Sequence, residues 1–515
     1  MNNLKQFFSN TNKDVFVLQN MPEVLKGALF SKYSRSSLPL RELFVKDYLE
    51  NEEIDKVNET KAKEFYGKWL AMYGDDSIAE LAAIHISIEN ISVLGAKFIE
   101  DRRIGVSPLE KSTRYVRFDT KENNQYKYYK DPKVMKSEYS EEYIKAMDNL
   151  FDTYTKLLPL MKEHFKNKYP KPVDVSDNAY ENSINAKALD TIRGLLPLAT
   201  KTNIGILANG RSVEYLLTRM YAQPLKELQN YAKDIHTEAK KYIDNFVERI
   251  ESEKGKEYLK YLRNTTKDIN KLTAKYDKST KGNSNSYVKL LEYSSNGDKE
   301  AAANIIYTNT HLPYEEILNN IKNEDIKKVI NTYVKHRQGR WHKVGKAFET
   351  TYYTFEIMAD FGAYKDLQRH RMLTQERQLF TTQHGYEIPK DIIEAKQDRL
   401  YKRAMDLTQT LYEKLEKDFP EEAQYVVTHG HLVRWKMKMN LREAFHLCEL
   451  RSSPQGHPSY RKIAQEIYRL IKSVNPIVGN SMKFVNMQDP GLERLSAEVR
   501  REEKLNAVKN KTPRT

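Results

Sequence analysis

Arg369, His370 and Arg371 stand consecutively in "LQRHRMLTQERQLF" (367–380), a stretch whose one carboxylate is Glu376. Three successive helical residues point about 100° apart, so one helix cannot wrap all three around one small group. They suit the wall of an extended anionic ligand. A solvated helix end, its cations complementing the C-terminal dipole, explains the triplet equally well when it is taken alone. A second constellation, "MNLREAFHLCELR" (439–451), shifts that balance. Asn440 is placed to cap a helix, with Glu443 three residues on, a cap stabilising by about 1 kcal/mol. Arg442 and His446 lie one turn apart on one face, and Arg451 follows Leu447 by one turn on another. Ala444, Phe445, Leu447, Cys448 and Leu450 make the rest of that helix apolar enough to bury. Cationic groups beside a packed core need an anion or an acceptor, so ligand binding is the better reading.

These segments belong to an internal repeat. "GDDSIAELAAIHISIENISVLGAKFIEDRR" (74–103) parallels "GKAFETTYYTFEIMADFGAYKDLQRHR" (345–371), and "LANGRSVEYLLTRM" (207–220) parallels "KMNLREAFHLCELR" (438–451). Glu80 to Glu349 is an offset of 269 and Asn209 to Asn440 one of 231, so the first copy carries extra residues, with 119–143 a candidate. A Gly/Ser/Asn-rich stretch, 278–287, has linker composition and sets the expected domains at 1–275 and 276–515. Apolar spacing of three and four predicts long helices in 139–166, 224–250 and 393–418. Alternation or β-branching predicts strands in 83–92, 350–358 and 424–428. The expected class is α+β: two tandem homologous domains, each a small, mainly antiparallel sheet flanked by several long helices. "ADFG" (359–362) contains an Asp-Phe-Gly, but without the other kinase motifs in order it is read as coincidence.

Composition limits the function. The 515 residues carry a formal charge of +14, with one Cys, 30% charged and 39% hydrophobic residues. No apolar run reaches the roughly 18 residues that would span a bilayer, and the first twenty residues lack a leader pattern, so a cytoplasmic protein is expected. A lone Cys448 excludes an intrachain disulfide framework and a Cys-based zinc site. The positive charge favours anionic partners. Without a basic repeat or an aromatic RNA-binding signature, small phosphate-bearing molecules are expected rather than nucleic acid.

The motifs together resemble the flavin-dependent thymidylate synthases. That family carries Arg-His-Arg followed by Ser-x-Arg, then Asn-x-Arg, a His or Asn four residues later and an Arg five beyond. The second copy has Arg369-His370-Arg371 and Asn440, Arg442, His446 and Arg451, but its Ser-x-Arg aligns with Leu379 and Thr381. The first copy keeps Ser112-x-Arg114. Its basic triplet reads Asp101-Arg102-Arg103 or Arg102-Arg103-Ile104, Tyr215 replaces the His, and Arg219 comes one residue early. "YGDDSIAE" resembles the family's Gly-His-x-Ser/Thr-x-x-Glu, with Asp75 for His and Ser77 on the flavin side.

The resemblance implies reductive methylation of dUMP, with FAD as cofactor, NADPH as reductant and methylenetetrahydrofolate as one-carbon donor. It implies Arg369, His370, Arg371, Asn440, Arg442, His446 and Ser77 as cofactor-binding residues. Ser112, Arg114, Glu110, Gln368 and Arg451 fall on the substrate, Arg114 as a bidentate phosphate ligand and Arg451 as the catalytic cation opposite the uracil ring. Because each copy lacks what the other keeps, a site composed from both halves is expected, in a homodimer imitating the family's tetramer. Cys448 is expected in the core rather than as a nucleophile. The alternatives are a diverged, non-catalytic nucleotide- or flavin-binding relative, and a metal hydrolase built on His429 and His431 with His370 or His384.

Overall fold

The computed structural model describes residues 2–49, 78–276, 285–489, 491–492 and 494–509. The expected linker therefore lies largely outside the described residues. The chain forms two compact units: residues 1–111 with 202–279, and residues 112–201 with 280–515. The stretch 112–201, which belongs to the first half of the sequence and carries Ser112-x-Arg114, thus packs within the second unit.

The first unit holds a three-stranded sheet of order β1-β3-β2, from β1 (Ala83–Ser92), β2 (Val106–Glu110) and β3 (Lys201–Asn209). β2 and β3 are antiparallel, with Glu110 opposite Ile204. β3 alternates strictly, burying Thr202, Ile204, Ile206 and Ala208 while Asn203, Gly205 and Leu207 face outward, as expected of a sheet covered on one face. The second unit holds a four-stranded sheet of order β4-β5-β7-β6, from β4 (Tyr287–Tyr293), β5 (Tyr352–Asp360), β6 (Thr374–Arg377) and β7 (Leu432–Asn440). Its pairs are antiparallel, with Arg377 opposite Trp435. β5 is central and buried on both faces, which is why "YYTFEIMAD" shows no clean alternation.

The two sheets share one plan. In each, two long strands end on a residue whose side chain caps the helix that follows. Ser92 accepts from the Gly95 amide at 2.9 Å and Asp360 from Ala363 at 2.9 Å. Asn209 accepts from Ser212 at 2.8 Å and Asn440 from Glu443 at 2.9 Å. These are N-caps satisfying otherwise orphaned amides, and they fix the repeat residue by residue. Counting from Ser92 and Asp360, the triplet matching Arg369-His370-Arg371 is Asp101-Arg102-Arg103. The strand registers align Glu110 with Arg377, and hence Ser112-x-Arg114 with Leu379-x-Thr381.

The expected long helices appear as Ser140–Lys168, Lys226–Val247 and Asp398–Asp418. Two expectations change. Residues 424–428 form no strand. Glu422–Val426 is a 3-10 turn, and the following backbone pairs with Leu196–Ala199 through Leu198 N to Val427 O (2.7 Å) and His429 N to Leu196 O (2.9 Å). The extra length of the first copy lies only partly in 119–143. A whole additional helix, Asp177–Ile192, stands between Ser140–Lys168 and β3, with no counterpart between Asp398–Asp418 and β7. The Asp360-Phe361-Gly362 triplet is a helix start: its Asp is the cap and its Phe is fully buried.

Candidate active site

The helix Phe361–Leu367 ends just before the basic triplet. Arg369 and Arg371 are exposed there, whereas Gln368 and His370 are buried. The triplet therefore splits by direction, as consecutive residues must. His370 turns toward the helix Leu441–Arg451, where its Nδ1 lies 2.6 Å from Glu443 Oε1 and its Nε2 accepts from Arg451 Nε at 2.8 Å. An Nε2 that accepts leaves the proton on Nδ1, so the ring is the neutral tautomer donating to Glu443. Burial, helped by Arg451 and Lys343, holds the His370 pKa well below its ordinary value. Burial also lifts the Glu443 carboxyl, against the pull of His446 and Lys343. Glu443 is thus more than part of a capping arrangement: it sets the tautomer that positions Arg451. The Arg451 Nη groups make no hydrogen bond among the described residues.

Beside this relay, a cavity of about 270 Å³ is lined by Asn440, Arg442, His446, Arg340, Lys343 and Met372, among others. His446 Nδ1 accepts from Lys343 Nζ at 2.5 Å, and burial lowers its pKa to about 4. The His370 and His446 rings lie 5.2 Å apart. Arg442 is anchored by Glu349 (2.5 Å) and the Val344 carbonyl (3.0 Å). The same pair recurs in the first unit as Arg211 with Glu80 at 2.9 Å. In both repeats the Glu before the first long strand holds the Arg after the capping Asn.

Arg114 lies in the same unit. Its Nε and Nη2 bind Asp190 at 2.8 and 2.7 Å, and its Nη1 donates to the Tyr460 hydroxyl at 3.0 Å. Its guanidinium stands 5.6 Å from the Tyr460 ring centre, and that of Arg451 stands 5.5 Å from the same centre. The first-half Ser-x-Arg and the last Arg of the second-half motif are therefore brought to one tyrosine. The expected bidentate phosphate grip of Arg114 needs correction: its forked edge is already occupied by Asp190. Ser112 accepts from the Arg114 amide at 3.2 Å and shapes that turn. Glu110, expected on the substrate, is instead buried in the first unit against Lys97 at 2.9 Å. Ser77 lies outside the described residues.

Sequence reasoning missed the anions that organise these arginines. Asp190 also binds Arg494 at 2.9 Å, and Asp366 pairs with the buried Arg193 at 3.0 Å. Burial alone would raise both carboxyls, but Arg114 for Asp190, and Arg193 and then Arg114, Arg451 and Arg369 for Asp366, hold them well below the usual range. Arg114, Arg193, Arg369, Arg451 and Arg494 thus gather around Asp190 and Asp366, with Asp360 beside Arg193, a concentration of cations suited to a phosphate-bearing ligand. The available signal was an Asp three residues before an Arg in the otherwise apolar "ALDTIRGLL". A cavity of about 710 Å³ opens beside Asp190 and Arg193, walled by Val288, Met358, Ile388 and Ile463.

The histidines of the hydrolase alternative do not assemble. His429 Nδ1 is bound to the Leu196 carbonyl at 2.7 Å and His431 Nδ1 to Thr428 Oγ1 at 2.9 Å. Among the described residues, the two groups of three with metal-ligand proximity are His370, Glu443 and His446, and His164, Asp391 and Glu394. Arg451 and Lys343 already occupy the first, and Lys168 sits on both carboxylates of the second. Cys448 is fully buried, and burial pushes its thiol pKa up, so it is a core residue. Among the described residues no helix is long and apolar enough to cross a membrane.

A duplicated α+β unit with arginine-rich motifs on capped helices defines the class, and comparison identifies it. Residues 33–243 and again 257–477 match the family described as thymidylate synthase complementing protein, and the chain belongs to that family as a tandem duplication. Along its whole length it is similar to the UPF0159 protein of Chlamydia pneumoniae, 40% identical over 513 residues and 97% of each chain. It is also similar to the UPF0159 protein of Thermoplasma acidophilum, 32% identical over 527 residues, covering 94% of this chain and 99% of the relative. A solved structure, the UMP/dUMP methylase PolB of Streptomyces cacaoi bound with 5-Br dUMP, aligns with 40% of this chain and 99% of its own at 18% identity and a TM-score of 0.32.

Proposed function

We propose that the protein is a flavin-dependent thymidylate synthase that methylates dUMP, with one working site built from both halves of the sequence. The observation that carries this reading is the meeting of Arg114 and Arg451 at Tyr460. Arg451, aimed through its Nε by His370, keeps both Nη groups for a ligand. A fixed guanidinium in that position stabilises negative charge developing on a uracil ring without any reorganisation. Arg369 and Arg193 flank Asp366 and supply the charge that draws in the nucleotide phosphate. Arg114, clamped by Asp190, orders the Tyr460 wall rather than gripping the phosphate with its fork.

The donor set beside the relay suits FAD. Arg340 and Lys343 add positive charge where Arg337 and Arg442 are already matched by Glu449 and Glu349, and burial with Arg340 lowers the Lys343 pKa. Asn440, Arg442 and His446 would hold the cofactor, with Arg371 at the rim. FAD, when bound and reduced by NADPH, supplies the hydride, and methylenetetrahydrofolate supplies the carbon. The chain acts as a cytoplasmic homodimer in this reading. One observation favours a second reading, a diverged nucleotide-binding relative: Asp190 fills the Arg114 fork.

Purified protein should carry a flavin absorbance band and release tritium from C5-labelled dUMP when given NADPH and methylenetetrahydrofolate. Colourless protein that neither takes up FAD nor releases tritium would leave the second reading standing.

A further inference from the structure

The first repeat has its own version of the relay, with its charges changed. Counting from the caps, His370 corresponds to Arg102, Glu443 to Ser212 and His446 to Tyr215, and Arg219 stands one residue short of the Arg451 position. In the second repeat a neutral imidazole and a carboxylate sit with one arginine, and the group balances itself. In the first, a cation replaces the imidazole and a serine replaces the carboxylate, so two guanidiniums meet at Tyr215 with no carboxylate bonded to either among the described residues. Asp101 offsets part of the Arg102 charge. Two further arginines of the lining are matched, Arg211 by Glu80 at 2.9 Å and Arg249 by Glu214 at 2.5 Å.

The local geometry bears the marks of this imbalance. Arg219 Nη2 donates to the Tyr215 hydroxyl at 2.7 Å. The Arg102 and Arg219 guanidiniums lie 5.8 and 5.0 Å from the centre of the Tyr215 ring. The Nε atoms of both arginines are buried with no hydrogen-bond partner among the described residues. Burial and the neighbouring Arg219 charge lower the Arg102 pKa, as expected of a cation without enough anion. Arg102, Ser212 and Tyr215 line a cavity of about 870 Å³ within the first unit, and Arg219 reaches its wall through the Tyr215 hydroxyl; Tyr215 and Tyr258 are partly exposed, at 42% and 39%.

We propose that this cavity is a second, separate binding site for a phosphate-bearing nucleotide, its phosphates held by Arg102 and Arg219 and its ring laid against Tyr215. Two guanidiniums offer the forked geometry that phosphate oxygens fill, and tyrosine faces give a heterocycle a stacking surface. The site lies wholly in the first unit and does not depend on catalysis by the second repeat.

The test uses the full-length chain and ADP as probe in a calorimetric titration, with inorganic pyrophosphate for comparison. The expected result is saturable ADP binding weakened about tenfold or more by Arg102→Gln and by Arg219→Gln, each loss reflecting at least one charge-assisted hydrogen bond. His446→Ala should leave that binding in place, and pyrophosphate should bind more weakly than ADP. Arg219 is only part buried, so its variant keeps the test decisive if Arg102→Gln fails to fold. Absence of saturable ADP binding overturns the proposal. So does binding lost in His446→Ala but kept in both arginine variants, and so does pyrophosphate binding as tightly as ADP.

Discussion

Arg451 donates its Nε proton to Nε2 of His370 at 2.8 Å, and the opposite nitrogen of that ring faces Glu443 at 2.6 Å. The Arg451 guanidinium is therefore aimed by a buried imidazole whose tautomer a carboxylate fixes. His370 acts as a positioning residue for Arg451. His370→Leu should lower kcat/KM for dUMP about tenfold to a hundredfold, the usual range for losing a group that orients a functional one. His370→Gln, which keeps an acceptor, should recover part of the loss. Thermal melts separate the two roles: equal loss in both variants, following their stability, would mean that His370 is only structural.

The Arg193–Asp366 pair is a structural commitment as well as a source of field. Arg193 is 3% exposed, and its partner lies 3.0 Å away. Removing one member of a buried pair strands the other charge, at a cost of about 3–5 kcal/mol. Asp366→Ala should shift the urea midpoint accordingly, whereas Glu80→Gln, which breaks an exposed pair, should cost no more than about 1 kcal/mol. Comparable shifts in the two variants would contradict the burial argument.

Acid sensitivity follows from the buried imidazoles. Burial lowers the pKa of His431 and of His457 to about 3, and that of His446 to about 4. In the unfolded chain each titrates near 6.5. Between those values the unfolded state binds protons that the native state refuses, so the stabilisation is complete above about pH 6.5 and is lost as pH falls through the window. The melting temperature should decline from pH 7 to pH 5, and His431→Gln should flatten that decline. A melting temperature unchanged across the range would count against neutral buried histidines.

The sequence made some of this legible because the information is local. The caps at Asn209 and Asn440, the strands before them and the amphipathic helices are written in short-range spacing. The repeat carried them from one half to the other. The pairing of Asp190 with Arg114 was not legible, because Asp190 sits on the inserted helix Asp177–Ile192, which has no counterpart in the second repeat. Residues 424–428 looked like a strand because Val426, Val427 and Thr428 are β-branched. Their backbone finds partners in Leu196–Ala199 instead, a pairing set by chain segments more than 200 residues apart. Glu110 carried a motif position but not its environment, which Lys97 decides.

The central claim, one substrate site assembled from Arg114 and Arg451, is tested most directly by a double-mutant cycle on tritium release from C5-labelled dUMP. Arg451→Ala and Arg114→Ala should each reduce the rate about a hundredfold or more, with the double variant far less impaired than the product of the two losses, as for residues acting as one unit. Unimpaired release by Arg114→Ala, or losses that multiply independently, would contradict a shared site.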